Sequence, residues 1–322
     1  MKRKLAAACL VAVLSVSQLM SSTVSTVQAD SIYNSVEYSV VSDSNALSNN
    51  SNINFSKYSS DYYYNKMSAK QKELYDLFDL RCKSFMNSND NLAYVKSCNM
   101  YTLGKITAYG YSVEEVSNIF HMFRISNPQY FFLSSTWLHY SADNHTSVWL
   151  CIHPDMKDLS TRISMEKAIS KKLLSWEKQI KKCKTQKAKI KKAHSIVIKH
   201  ITYDDYLESH MNDTSEINDM SQSVYPSIAK GKGVCTGYAF LFSMLCNASN
   251  IRCIVVDSEF HTWNKVLLGK KWYNVDCTWD DYDNGLVYYN YFLISDTKVK
   301  KLDNGNYHVL DKSLRGYAPS AK

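Results

Sequence analysis

Several arrangements that mark common protein classes are missing from this sequence of 322 residues. Its nine cysteines include no C-x-x-C pair and no evenly spaced framework, so the sequence indicates neither a structural zinc site nor a disulfide scaffold. The acidic stretch 280–284 lacks the spacing of an EF-hand loop, which favours a plain acidic turn over a calcium site. No nucleic-acid-binding motif is recognisable either. We therefore expect no metal, no cofactor and no nucleic-acid partner.

The sequence also lacks an apolar run as long as a typical membrane-spanning helix, because the apolar segment near its start is short. Residues 1–4 are basic, residues 5–20 are apolar, and a stretch rich in serine and threonine ends at Ala29. This pattern is typical of a secretory signal peptide, residues 1–29, rather than of a membrane span. We expect cleavage after Ala29, no stable membrane insertion afterwards, and a secreted or cell-surface protein. An uncleaved segment that serves as an anchor is the less favoured alternative.

The formal net charge of +8 decides little, since the signal peptide carries three of the basic residues. Lysine is concentrated between residues 161 and 201, in a pattern that predicts one long helix or two. The first part, residues 161–184, is predicted to be a basic helical connector. Its charge could attract an anionic wall polymer or an acidic protein, although a solvated helix face is the favoured explanation.

Two segments separate the signal peptide from this connector. Residues 30–66 are dominated by serine, asparagine and tyrosine, which predicts a disordered spacer. Residues 67–160 are predicted to form an α-rich N-terminal subdomain, since serine–glutamine and serine–glutamate capping boxes begin at Ser68 and Ser112. Residues 130–133 and 146–152 are predicted to be strands or buried extended segments. The histidines of this subdomain share no ligand-type spacing, so we assign it no chemistry.

A buried helix is predicted directly after Cys235. Residues 238–246 are apolar on every face, which is typical of a helix enclosed by protein. Gly231 and Gly233 allow the chain to turn sharply into this helix, so Cys235 should lie in or just before its first turn. There the unpaired N–H groups and the helix dipole favour a thiolate. An inert buried cysteine is equally compatible with this stretch alone.

A predicted β-hairpin brings a histidine and a carboxylate together. Residues 261–268 and 271–279 are rich in β-branched and aromatic residues, and Gly269-Lys270 between them is a typical two-residue turn. This turn would place Leu268 opposite Lys271, so that His261 and Asp276 point to the same side as diagonal neighbours. A thiol, an imidazole and a carboxylate in this order suit nucleophilic catalysis: Cys235 attacks, His261 carries the proton and Asp276 orients the ring.

The chain resembles the transglutaminase-like superfamily of papain-type thiol enzymes, in its secreted bacterial branch. The resemblance covers roughly residues 185 to 310 and rests on matched motifs at 201–204, 233–239, 261–264, 272–281 and 291–296. It implies that Cys235 is the nucleophile, with His261 and Asp276 as its partners. Thr262 departs from the family, in which alanine is commoner there.

The resemblance implies an α+β fold with a papain-like core at residues 185–322, in which the helix of Cys235 packs on an antiparallel sheet. It implies acyl transfer at peptide or glutamine side-chain amides through a thioester, leading to transamidation, deamidation or hydrolysis. The implied substrate is a protein or peptide, and cell-wall-associated proteins are among the candidates. Trp263, Trp272 and Trp279 are candidates for the walls of the acyl channel, or else they pack within the sheet. An idle domain of this fold, used for binding to the wall or to a protein, is the alternative.

Overall fold

The computed structural model describes residues 55–88, 92–95, 100–142, 145–210, 223–282 and 284–322. The predicted signal peptide and residues 30–54 of the predicted spacer lie outside this part of the chain. The helices are α1 Ala69–Asn87, α2 Val113–Ser126, α3 Leu159–Lys181, α4 Gln186–His200, α5 Asp205–His210, α6 Val224–Ala229, α7 Cys235–Asn247 and α8 Asp296–Leu302. The strands are β1 Ala93–Val95, β2 Met100–Thr102, β3 Ile106–Tyr109, β4 Leu133–Ala142, β5 His145–Ile152, β6 Thr202–Tyr203, β7 Lys232–Gly233, β8 Cys253–Asp257, β9 Thr262–Leu268, β10 Lys271–Val275 and β11 Phe292–Ile294.

The predicted N-terminal subdomain contains a sheet as well as helices. Both capping boxes are present, and they start α1 after Ser68 and α2 after Ser112. Strand β5 is central: it pairs antiparallel with β4 along one edge and with β2 and β3 along the other. Residues 67–160 thus contain helix and sheet together, and the segment 146–152, predicted to be extended, lies in β5. Strands β1 to β3 have only three or four residues each, too few for an alternating pattern to stand out in the sequence.

The end of the predicted spacer is folded, which corrects that prediction for residues 55–66. Two short 3₁₀ helices, Phe55–Tyr58 and Tyr64–Lys66, lie here, and the side chains of Tyr58 and Tyr63 are buried in the main apolar core. The hydroxyl of Tyr63 donates to the carbonyl of Val255 in β8, at 2.9 Å. Each tyrosine buries a large apolar ring while its hydroxyl finds a partner, so these residues attach the segment to the core.

The lysine-rich region forms two helices that both pack against the core. Helix α3 buries Ile169, Leu173 and Ile180, and α4 buries Ile190 and Val197, in the same apolar cluster. The lysines of α3 lie mainly on its exposed face. Within the described residues, no helix has both the length and the apolar character that are needed to cross a bilayer.

The C-terminal half has the predicted α+β core. Helix α7 is buried from Cys235 to Cys246 and packs on an antiparallel sheet of order β11-β10-β9-β8. One apolar cluster extends from Tyr58 to Leu314, so both halves of the chain share a core. This arrangement places the first turn of α7 beside the start of β9.

Candidate active site

Three glycines determine how the chain enters α7. Gly231 has a positive φ of 69°, and a Cβ there would lie 2.7 Å from the carbonyl oxygen of His200. Gly233 and Gly237 serve a different purpose, since a Cβ on either one would lie within 2.2 Å of Oγ of Ser227 in α6. Gly233 is thus required by close packing against Ser227, and not by the sharp turn that the sequence suggested. Together they seat Cys235 as the first residue of α7.

The predicted hairpin has the predicted register. Leu268 pairs with Lys271 across the two-residue turn, and the pairing continues to Asn264 and Val275. His261 precedes the first residue of β9 and Asp276 follows the last residue of β10. Their side chains are thereby brought to the same end of the hairpin.

The structure brings Cys235, His261 and Asp276 together. Nε2 of His261 lies 2.6 Å from Oδ2 of Asp276, and the imidazole also hydrogen-bonds with the thiol of Cys235. Since Nε2 is engaged by the carboxylate, Nδ1 is the nitrogen left to face the sulfur. All three side chains are buried, and Cys235 is only 1% exposed.

The buried carboxylate of Asp276 controls the protonation of His261. Burial by itself would lower the pKa of His261, but the charge of Asp276 and its hydrogen bond, together with the hydrogen bond to Cys235, raise it from 6.5 to about 10. Burial by itself would raise the pKa of Asp276. Its two imidazole partners, His261 and His308, nevertheless bring this pKa well below the usual range. An imidazolium between a thiol and a carboxylate is the protonation state that stabilises a thiolate.

Asp276 accepts four hydrogen bonds. Its Oδ1 receives the backbone N–H groups of Thr278 and Trp279 at 2.9 and 3.1 Å. Its Oδ2 receives Nε2 of His261 and, at 3.0 Å, Nε2 of His308. The carboxylate is therefore held from both sides, and its orientation toward His261 does not depend on that histidine alone.

His308 is the site residue that the sequence analysis missed. Its Nδ1 lies 2.9 Å from Oδ2 of Asp303, a carboxylate that also accepts the N–H groups of Gly305, Tyr307 and His308 itself. These bonds bring the pKa of Asp303, which burial alone would raise, down to about 2. His308 follows α8 in an irregular segment, where neither the helical nor the strand period gives any signal.

Two of the three predicted tryptophans adjoin His261. The ring of Trp263 stacks parallel to the imidazole with centroids 6.1 Å apart, and the ring of Trp279 lies 5.6 Å away. Trp263 is buried and donates its indole N–H to Asn274, so it forms a wall behind the imidazole. Trp272 is not brought to the site. It pairs with Leu267, six residues and roughly 20 Å along β9 from His261, and its ring contacts Tyr62.

Two side chains of β6 and α5 pack against the residues at the start of α7. Cys235 and Val234 form a small apolar cluster with Tyr203 of β6 and Leu207 of α5. Strand β6 is held against β7 by a parallel pairing of Tyr203 with Gly233, two residues before the cysteine. Tyr203 and Leu207 are themselves only partly buried, so this cluster extends toward the surface.

His261, Asp276 and His308 are also the three ligand-type residues whose donor atoms converge, all within 4.8 Å, in the described part of the chain. The N···O separations of 2.6 and 3.0 Å at Asp276 are hydrogen-bond distances. Ligands of a tetrahedral zinc ion with bonds of about 2.1 Å would lie roughly 3.4 Å apart. The geometry therefore fits shared protons better than a metal ion.

The site lies in a segment of the chain that matches a known family model. Residues 175–277 match the model of the transglutaminase-like superfamily. Among solved structures, a crystal structure of a TGase is similar at 17% identity and a TM-score of 0.30, over 54% of this chain and 50% of that one. A candidate cysteine protease from Cytophaga hutchinsonii is similar at 15% identity and a TM-score of 0.28, over 62% of this chain and 73% of that one.

This chain thus spans about half the length of the TGase structure. The search of curated proteins found no match. The matched segment begins within α3 and ends one residue after Asp276, so it includes Cys235, His261 and Asp276. Residues 175–277 are therefore transglutaminase-like.

Proposed function

We propose that the protein is a thiol enzyme that transfers the acyl group of a peptide or glutamine side-chain amide through a thioester at Cys235. One observation carries the proposal: the imidazole of His261 lies between the thiol of Cys235 and the carboxylate of Asp276. Asp276 accepts the Nε2 hydrogen, which orients the ring and leaves Nδ1 to exchange a proton with sulfur. The position of Cys235 at the first residue of α7 adds the partial positive charge of the helix end.

In the acylation step, the sulfur of Cys235 attacks the amide carbon and a C–S bond forms. The backbone N–H of Cys235, at the start of the helix, is a natural donor for the resulting oxyanion. The C–N bond then breaks, and His261 gives its proton to the departing ammonia or amine. In the second step, water or a primary amine loses a proton to His261 and attacks the thioester. The C–S bond breaks and the thiolate is restored.

The acceptor in the second step decides between transamidation and hydrolysis. We propose a protein or peptide donor, because the segment that contains Cys235, His261 and Asp276 matches the transglutaminase-like superfamily. Export through the segment 1–29 would place this reaction outside the cell, where wall-associated proteins are candidate substrates. None of the seven described cysteines forms a disulfide, so a working thiolate requires conditions in which oxidation is slow.

The decisive experiment is competitive labelling with iodoacetamide, followed by peptide mass spectrometry. Cys183 is a built-in control because it is partly exposed, whereas Cys235 is buried. Accessibility alone would make Cys183 react first, so faster labelling of Cys235 requires a thiolate. We expect Cys235 to be labelled faster than all six other described cysteines, and His261→Ala to abolish the preference.

Turnover is tested by incubating the protein with a glutamine-donor peptide and a labelled primary amine. Incorporation of the amine indicates transamidation, a mass gain of one unit at glutamine indicates deamidation, and shortened peptides indicate proteolysis. The Cys235→Ala variant should lose each of these products. The burial of Cys235, which is only 1% exposed, favours the alternative of an idle binding domain. That alternative predicts no preferential labelling and no product.

A further inference from the structure

Asp276 is shared by two imidazoles. Nε2 of His261 and Nε2 of His308 both point at Oδ2, at 2.6 and 3.0 Å, and the two rings lie 5.1 Å apart at 75° to each other. Orienting His261 requires only one carboxylate, and a second histidine on the same oxygen of Asp276 is not needed for that purpose. The second imidazole therefore calls for an explanation of its own.

His308 is enclosed on every side. Its side chain is 1% exposed, its ring stacks on Tyr291 at 13° with centroids 5.6 Å apart, and the rings of Trp263 and Trp279 contact it edge-on at 4.8 and 5.0 Å. The turn that returns the chain to this position has positive φ angles at Asn304 and Gly305.

Both nitrogens of His308 face carboxylate oxygens. Nε2 faces Asp276 and Nδ1 faces Asp303, whose side chain is fully buried. An ionised carboxylate can only accept, so the two bonds can form together only when both nitrogens carry a hydrogen, as they do in an imidazolium ring. The charged groups around His261 are then Asp276 and His308, beside the thiol of Cys235. Those around His308 are Asp276 and Asp303, with the phenol of Tyr291 stacked on the ring.

We propose that His308, held by Asp303, is a positioning residue that shares Asp276 with His261 and so limits how tightly Asp276 retains the His261 proton. The inference rests on the proposed function, in which His261 has to release that proton as well as bind it. A carboxylate paired with a single histidine in a buried site holds the proton strongly. A second donor on the same oxygen, with a positive charge about 5 Å from the ring, weakens that hold. General acid–base catalysis is most effective when the group releases its proton near the working pH.

The test measures the titration midpoint of His261 by NMR of its imidazole resonances in the Cys235→Ala protein. The nucleophile is absent from this background, so the result does not depend on whether the protein turns over a substrate. We expect His308→Phe, which removes the donor and the charge, to raise the midpoint by about one pH unit or more. His308→Gln keeps a neutral donor, and Asp303→Asn removes one of the two carboxylates that His308 faces, so each should raise the midpoint by less. His145→Gln, far from the site on β5, should leave it unchanged.

Circular dichroism and thermal melting establish that each variant is folded. If His308→Phe does not fold, the two milder variants still test the inference. The inference is overturned if folded His308→Gln and Asp303→Asn proteins keep the midpoint within about 0.2 pH units of the reference, or lower it. That result would make His308 a packing residue only. Preferential labelling of Cys235 in the wild-type chain could still be observed, so failure of this inference and failure of the proposed function are separate outcomes.

Discussion

Asn264, in the middle of strand β9, donates from Nδ2 to the carbonyl oxygen of Ala239 in helix α7 at 3.0 Å. The same amide nitrogen lies 3.3 Å from the carbonyl oxygen of Ile254 in β8. One buried side chain thus joins the helix that carries Cys235 to the two strands nearest His261. A hydroxyl contact of 3.3 Å between Thr236 and Thr262, the neighbours of Cys235 and His261, lies at the same junction. The distance between thiol and imidazole is therefore set by polar contacts as well as by apolar packing.

Replacing Asn264 should loosen this junction. Asn264→Leu removes the donor at similar volume and should cost about 1–3 kcal/mol of unfolding free energy. Asn264→Asp should cost more, because it buries a carboxylate against two carbonyl oxygens. Urea unfolding measures both. Asn290→Leu, an exposed amide, is the control and should stay within about 0.5 kcal/mol. Equal stability of Asn264→Leu and wild type would contradict the role assigned to this amide.

The pair formed by His261 and Asp276 should make stability depend on pH. The pKa of His261 rises from 6.5 to about 10 on folding, so its contribution is fully present below about pH 6.5 and is lost as the pH increases through about 10. The unfolding free energy of the wild-type protein should therefore decline over this window, with a slope from this one group of at most about 1.4 kcal/mol per pH unit.

Asp276→Asn tests the origin of that slope. The amide carries no charge to stabilise the imidazolium, so the decline between pH 6.5 and 10 should flatten. The measurement is urea unfolding at three pH values across the window. Asp61→Asn replaces an exposed carboxylate elsewhere and should leave the slope as in wild type. Parallel curves for wild type and Asp276→Asn would show that the pair does not hold the proton.

Leu207 should govern access to the thiol. Together with Tyr203 it packs against the cluster of Val234 and Cys235, and the cysteine is only 1% exposed. Leu207→Ala shortens this cover, so labelling of Cys235 by iodoacetamide should accelerate, roughly three- to ten-fold, because the rate depends on access as well as on thiolate character. Leu174→Ala, at a partly exposed leucine of α3, is the matched control. An unchanged rate would mean that reagents reach the sulfur by another route.

The Cys235, His261 and Asp276 positions could be predicted because each depends on a local rule. A two-residue turn determines which strand residues face each other, and glycines ahead of an apolar helix determine where a cysteine meets its first turn. His308 depends on no such rule. Its position follows from the Asp303 turn and from packing of the C-terminal segment against residues far away in sequence.

The composition of residues 30–66 does not indicate that residues 55–66 are folded. Serine and asparagine dominate the whole stretch 30–66, and an average over it hides two tyrosines whose burial decides the structure. Strands β1 to β3 were not predicted for a related reason, since β2 and β3 pair with the longer β5 and β1 pairs with β2. Long-range contacts of this kind leave little trace in a single sequence.

Tyr63 gives the clearest test of the folded N-terminal segment. Its ring is buried and its hydroxyl donates to Val255 in β8, the strand next to β9. Tyr63→Phe keeps the ring and removes one hydrogen bond, so it should cost about 1 kcal/mol. Tyr63→Ala also leaves a cavity beside the sheet and should cost about 3–5 kcal/mol. Tyr109→Ala, at an exposed ring, should be close to neutral in the same urea titration. If Tyr63→Ala unfolded at the wild-type midpoint, the segment would not contribute to the core. A loss that follows this order would show that the chain from Phe55 onward belongs to the unit that supports β8 and, through it, the strand that begins next to His261.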